Sequence, residues 1–134
     1  KAAVLAKAPC FLNIHAGITP RYRGAHGAFW AVYEGRPELA GVTVHLVDTG
    51  VDTGSIVAQT AIEIDPRSDT PRTLVAKQYL AGAPLTVQAV EQALAGRLQT
   101  TQRSDLESRL WYSPTPSSYW RFRRRLARLA ANAE

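Results

Sequence analysis

Cys10-Phe11-Leu12-Asn13-Ile14-His15 is an apolar run that finishes in two strong polar groups. Its composition predicts a strand over about 10–15, with Pro9 breaking the helix end or turn expected over 1–8. Residues two apart on a strand point to one face, so the Asn13 amide and the His15 imidazole are neighbours. A core strand that ends in polar groups fits an open α/β sheet, where ligands bind outside the carboxyl ends of the strands. An amide beside an imidazole suits an oxyanion.

Working outward, Gly17, Thr19, Pro20 and Gly24 mark a loop. A helix is expected over about 25–34, with Phe29, Trp30 and Tyr33 on an aromatic face and Gly35 ending it. Val42, Val44 and Leu46 alternate with Thr43, His45 and Val47, which reads as a strand. Residues 48–55 hold two Asp-Thr pairs and two glycines and read as a turn-rich loop. A strand returns over 56–64 and is expected to pair with the preceding one as a hairpin. Asp52, in the loop, is the proton acceptor that would complete the set with Asn13 and His15.

A long helix is expected over about 70–96, capped by Asp69 or Thr70 with Pro71 in its first turn. Leu74, Tyr79, Leu80, Val87, Val90 and Leu94 recur at helical spacing, while Gly82 and Pro84 threaten a kink or break. Residues 99–118 read as irregular. A terminal helix is expected from about Tyr119, with Phe122, Leu126 and Leu129 sharing its packing face and Arg124 and Arg128 in solvent.

Asn13-Ile14-His15, followed by Pro20-Arg21-Tyr22-Arg23-Gly24, resembles the folate-dependent formyltransferases, in which an Asn-x-His strand end runs into a Pro-x-Tyr-Arg-Gly turn. Gly41-Val42-Thr43, leading to Asp52-Thr53-Gly54 and on to Ile56-Val57-Ala58-Gln59, is similar to the same family's second block. The resemblance covers roughly residues 1–75. It implies an α/β chain forming the C-terminal part of the Rossmann-like formyltransferase fold, with a terminal helical extension. Residues 1–97 would be the later half of the catalytic domain, and 98–134 an irregular segment with the arginine-rich helix. The upstream half of the same domain is expected to precede it.

The family implies an enzyme that moves a formyl group from 10-formyltetrahydrofolate, its co-substrate, to a primary amine of a small acceptor. Asn13 would donate to the oxyanion, with His15 as a second donor in its imidazolium form. Asp52 would raise the pKa of His15 and take the amine proton. Backbone groups of Val51 and Asp52 would hold the folate ring, and Arg21, Tyr22 and Arg23 would contact substrate. No metal is expected. Asp48 rivals Asp52, since both precede Thr-Gly; the family pattern favours Asp52 and leaves Asp48 to stabilise the loop. His45 reads as structural, facing away from Val44, and His26 is open between substrate contact and packing. One departure is that the family usually carries Ser-Leu-Leu-Pro where this chain has Gly17-Ile18-Thr19-Pro20.

The chain has 134 residues and a formal charge of +5, and five arginines of the terminal helix account for that whole excess. They read first as a solvated helix face and second as an anion-binding or RNA-facing tail, so nucleic acid is not the expected partner. The lone Cys10 excludes an internal disulfide and fits a reducing, cytoplasmic setting. No apolar stretch approaches a membrane span. Homo-oligomerisation is left open. The competing functions are a formyltetrahydrofolate hydrolase with the same three residues, and a non-catalytic RNA- or partner-binding module that uses the basic tail.

Overall fold

A computed structural model describes residues 2–132; Lys1, Ala133 and Glu134 lie outside the described residues. The strands β1 (Leu12–His15), β3 (Gly41–Leu46) and β4 (Ile56–Ala61) form an antiparallel sheet in the order β1-β3-β4. The expected β3–β4 hairpin is present, although β4 ends before residue 64. The partner of β1 is β3, with Asn13 opposite His45 and His15 opposite Thr43. Its register decides the site, because directly opposite residues share a face.

One face of this sheet is apolar. Ile14 and Val42 pack under helix α3 (Pro71–Leu94), where a Cβ at Gly82 would meet Ile14 Cδ1 at 2.6 Å and Val42 Cγ2 at 2.8 Å. Glycine thus sets the close approach of helix to sheet. Thr70 caps α3, with its side chain accepting from Thr73 N. The helix runs unbroken through Pro84, which forfeits only the bond to the Leu80 carbonyl, on the exposed side. The apolar spacing read along α3 describes two faces. Leu74 is buried with Gln78, Gly82 and Ala89, whereas Tyr79, Leu80, Val87, Val90 and Leu94 point outward.

The other layer holds α2 (Gly27–Glu34) against α4 (Pro116–Ala131), which starts earlier than expected because Thr115 caps it. Phe29 stacks on Phe122 with ring centroids 4.6 Å apart, and Trp30 stacks on Trp111 at 4.5 Å. Phe122 and Leu126 are buried and Leu129 half-buried, as their spacing predicts. Gly35 closes α2 at a φ of 80°. The segment expected to be irregular contains β5 (Leu110–Trp111), which pairs in parallel with β2 (Arg23–Gly24). Two backbone bonds, from Arg23 N to Arg109 O and from Ala25 N to Trp111 O, clamp the Arg-Gly turn beside the site. α1 (Ala2–Leu5) is a single turn.

Candidate active site

The sheet face opposite α3 is polar. Asn13, His15, Thr43 and His45 share it through strand alternation and the β1–β3 register. Gln59, opposite Thr43 on β4, donates to Thr43 Oγ1 at 2.9 Å, and that hydroxyl donates to Gly17 O at 2.7 Å. These bonds tie the Gly17–Thr19 loop to the sheet. They also satisfy a buried hydroxyl that would otherwise destabilise the core.

Asp52 joins the same face because the loop after β3 folds back over the sheet. It adopts a left-handed φ of 50°. Its Oδ2 accepts from Gly24 N at 2.8 Å and lies 3.3 Å from His15 Nδ1, and its Oδ1 lies 3.5 Å from His45 Nε2. The convergence is therefore on a face, made by a folded loop, rather than across two strand ends. Asp48 has a different place. Its Oδ1 accepts from Gly50 N at 2.9 Å and Thr53 Oγ1 at 2.6 Å, closing an Asx turn that shapes the loop.

His45 is the residue missed as a site member. It does face away from Val44, but that direction is toward Asn13, Asp52 and His15. Its Nδ1 donates to Leu46 O at 2.7 Å, and its Nε2 is 3.2 Å from Asn13 Nδ2. The signal was present in the β3 alternation. It needed the pairing of β3 with β1 to be read.

The two imidazoles titrate in opposite directions. Burial is the largest influence on His15 and holds its pKa below the ordinary value, against the lifting effect of the Tyr22 carbonyl and Asp52. Asp52 does raise it, as expected, but desolvation outweighs one carboxylate and the net shift is downward. His45 is also pressed down by burial. Its contacts with Asp52 and Leu46 O, with the charges of Asp52 and Asp48, lift it above the ordinary value overall. For Asp52, burial raises the pKa, yet His45, Gly24 N–H and His15 together bring it below the usual carboxylate range.

His15 Nε2 donates to Tyr22 O at 2.6 Å, which leaves Nδ1, facing Asp52, as the nitrogen that gains or loses a proton. Gly17 permits this contact, since a Cβ there would come 2.6 Å from Nε2. With both nitrogens facing protein acceptors, the ring must turn about its Cβ–Cγ bond before it can act as a second oxyanion donor.

The other named residues separate. Arg21 is bound by Glu34 (2.8 Å) and Glu107 (2.9 Å). Tyr22 is fully buried with its hydroxyl donating to Glu34, and burial pushes its pKa upward. Both therefore have their polar groups taken within the chain. Arg23 differs, because it lines a cleft of about 70 Å³ with Thr19, Pro20, Asp52, Thr53 and Gly54. Its Nη1 donates to Val51 O at 3.1 Å, and its buried Nε lacks a hydrogen-bond partner among the described residues. His26 is exposed at the N-cap of α2, and its side chain makes no capping hydrogen bond. Among the described residues no His, Cys, Asp and Glu group could hold a metal ion. An apolar hollow of about 430 Å³ opens beside the loop, lined by Val4, Leu5, Phe11, Leu12, Val47 and Gly50 with Asp48.

Residues 1–90 match the family model described as formyl transferase. The chain belongs to the formyl transferase family. Methionyl-tRNA formyltransferase of Anaeromyxobacter dehalogenans (strain 2CP-1) is 37% identical over 99 residues, covering 74% of this chain and 31% of the relative. That of Synechococcus sp. (strain JA-3-3Ab) is 37% identical over 103 residues, covering 77% and 31%. The chain thus spans about a third of the length of the curated relatives it matches. Among formyl transferases of known structure, the sugar 3N-formyl transferase WlaRD, crystallised in the presence of dTDP and 5-N-formyl-THF, aligns with a TM-score of 0.67 and 26% identity. That alignment covers 75% of this chain and 36% of WlaRD. A likely sugar N-formyltransferase from Mycobacterium tuberculosis aligns over 93% of this chain and 58% of its own, with a TM-score of 0.71 and 20% identity, which speaks for the fold alone. The formyl transferase match ends within α3, so α4 lies outside it.

Proposed function

We propose that this chain carries the reacting residues of an enzyme that transfers a formyl group from 10-formyltetrahydrofolate to a primary amine of a small acceptor, through Asn13, His15 and Asp52. The observation that carries the reading is the 3.3 Å approach of His15 Nδ1 to Asp52 Oδ2 on the sheet face that also bears Asn13. Family membership supports the reaction class.

The acceptor nitrogen attacks the formyl carbon, a new C–N bond forms, and negative charge collects on the formyl oxygen. Asn13 Nδ2–H donates to that oxygen. Asp52, held ionised by Gly24 N–H and the two imidazoles, takes the proton leaving the acceptor nitrogen. The bond to the carrier nitrogen then breaks, and that nitrogen leaves with a proton returned through the same carboxyl and His15. Arg23 lies beside Asp52 and suits an anionic group on the acceptor. The apolar hollow fits a flat ring. With the Val51 carbonyl taken by Arg23, the Val51 N–H and the Asp52 backbone remain to bond it.

Asp52→Asn in the full-length protein tests the proposal. General acid–base catalysis contributes ~10²–10⁴-fold, so formyl transfer should fall by that order while folding is kept. Near-native turnover in the variant would overturn it. Release of formate without a formylated acceptor would instead assign the site to hydrolysis.

A further inference from the structure

The formyl-transfer site makes no use of one flank of α4. Its apolar face is packed, with Phe122 and Leu126 buried against α2, so the packing role expected of this helix is met. The adjoining flank is a different surface. At 3.6 residues per turn, Arg121, Arg124, Arg125 and Arg128 fall within an arc of about 100°. With Trp120 they line a groove of about 230 Å³.

None of these four arginines forms an ion pair with a described carboxylate. The chain has no Asp or Glu between Ser108 and Ala133. Glu34, on α2, is already shared by Arg21, Tyr22 and Arg109. The arginines sit three or four residues apart, the spacings at which like charges weaken a helix. The flank is nevertheless ordered by contacts that leave the charges uncancelled. Arg121 lies 4.5 Å over the Tyr33 ring and Arg124 4.6 Å over Trp120. Arg125 is half-buried over Gly35, at the carbonyl end of α2.

We propose that this groove binds the phosphate backbone of a single-stranded nucleic acid, with an unpaired base stacking on Trp120. Guanidinium forks match phosphate oxygens. Four of them spread along about 10 Å of helix suit a ladder of phosphates better than one phosphate group. Trp120 is 63% exposed at the rim of the groove, and an aromatic beside a cationic track is how unpaired bases are held. A lipid surface fits less well, because membrane helices insert an apolar face and that of α4 is inside the protein. The binding is independent of formyl transfer.

The test is fluorescence anisotropy of the full chain with labelled single-stranded oligouridylate, oligothymidylate and a duplex of equal length across a salt series. Anionic phosphatidylserine vesicles are run beside them. Four phosphate contacts on a single strand give a log–log salt slope near −3, from about −0.7 per contact. Arg124→Gln with Arg128→Gln should halve that slope, and Trp120→Ala should lower affinity at least about fivefold with only a small change in slope. All three side chains are exposed, so thermal melting should be unchanged, and a variant that has lost its fold is read by that control and replaced with Arg124→Lys with Arg128→Lys, which keeps the charge and loses only the fork. RNA bound tighter than DNA, or the reverse, identifies the source. Equal binding by wild type and the double Gln variant, tighter binding of the duplex, or binding to vesicles alone overturns the proposal.

Discussion

His45 faces Asn13 directly across the β1–β3 ladder, and its Nε2 stands 3.2 Å from Asn13 Nδ2 and 3.5 Å from Asp52 Oδ1. Because Nδ1 donates to the Leu46 carbonyl, Nε2 serves both partners in turn. Neutral, it accepts from the Asn13 amide; protonated, it donates to Asp52 and no longer accepts from Asn13. His45 thus links the proposed oxyanion donor to the proposed proton acceptor. His45→Gln should lower kcat roughly 3- to 10-fold, the loss of about one hydrogen bond's net worth, and leave KM nearly unchanged. It should also shift the pH profile of kcat, which a packing role would not do. An unshifted profile with native kcat would reduce His45 to packing.

The two histidines give opposite signatures in stability against pH. His45 has a raised folded pKa, so its contribution is full below the ordinary value of 6.5 and is lost as pH rises through the folded pKa. His15 has a lowered folded pKa. As pH falls below 6.5 the unfolded chain takes up a proton that the folded site resists, and stability is lost. His15→Gln should therefore make the protein more resistant to mild acid relative to wild type, and His45→Gln less so. Melting temperatures measured from about pH 8 to 5.5 on either side of the reference histidine value check both signs. Parallel curves for the two variants would contradict the assignment.

Gly17 is tied to the state of His15. A Cβ there would reach Nε2 at 2.6 Å and also collide with the Tyr22 carbonyl, a backbone atom with little freedom to move. Gly17→Ser should cost about 1–3 kcal/mol as overpacking. It should also break the bond from His15 to Tyr22. That bond raises the pKa of His15, so its loss should lower the pKa further. NMR titration of the imidazole Cε1 proton measures this. An unchanged His15 titration would show that the backbone absorbs the new side chain.

The strands β1, β3 and β4, the helix α2 and the face of α4 were legible because apolar alternation and caps are local signals. That Asn13, His15 and Asp52 come together was legible through the family resemblance, which chose Asp52 where the loop's residues alone left Asp48 as a rival. What could not be read was register. His45 joins the site only through the antiparallel pairing of β3 with β1, and Arg21 leaves it only because Glu34 and Glu107 converge from α2 and the distant 99–118 segment. The sign of the His15 shift was also hidden, since burial is a property of the fold. Along α3, Leu74 and Leu80 look alike in the sequence. Gly82 decides between their faces by letting the sheet approach on one side.

The outward face of α3 carries the last prediction. Tyr79, Leu80, Val87, Val90 and Leu94 lie together there, with Leu80 76% and Leu94 84% exposed. A contiguous apolar surface of this kind marks a face that another polypeptide covers or that makes a protein associate with itself. The 134-residue chain alone should therefore self-associate with rising concentration. Leu80→Lys with Leu94→Lys should suppress this while leaving the melting temperature almost unchanged, because exposed substitutions typically stay within about ±0.5 kcal/mol. Sedimentation velocity over a concentration series reads the first effect and calorimetry the second. Equal self-association in the double variant would locate the sticky surface elsewhere, with the free edge of β1 the next place to test, since an unpaired strand edge is itself a template for association.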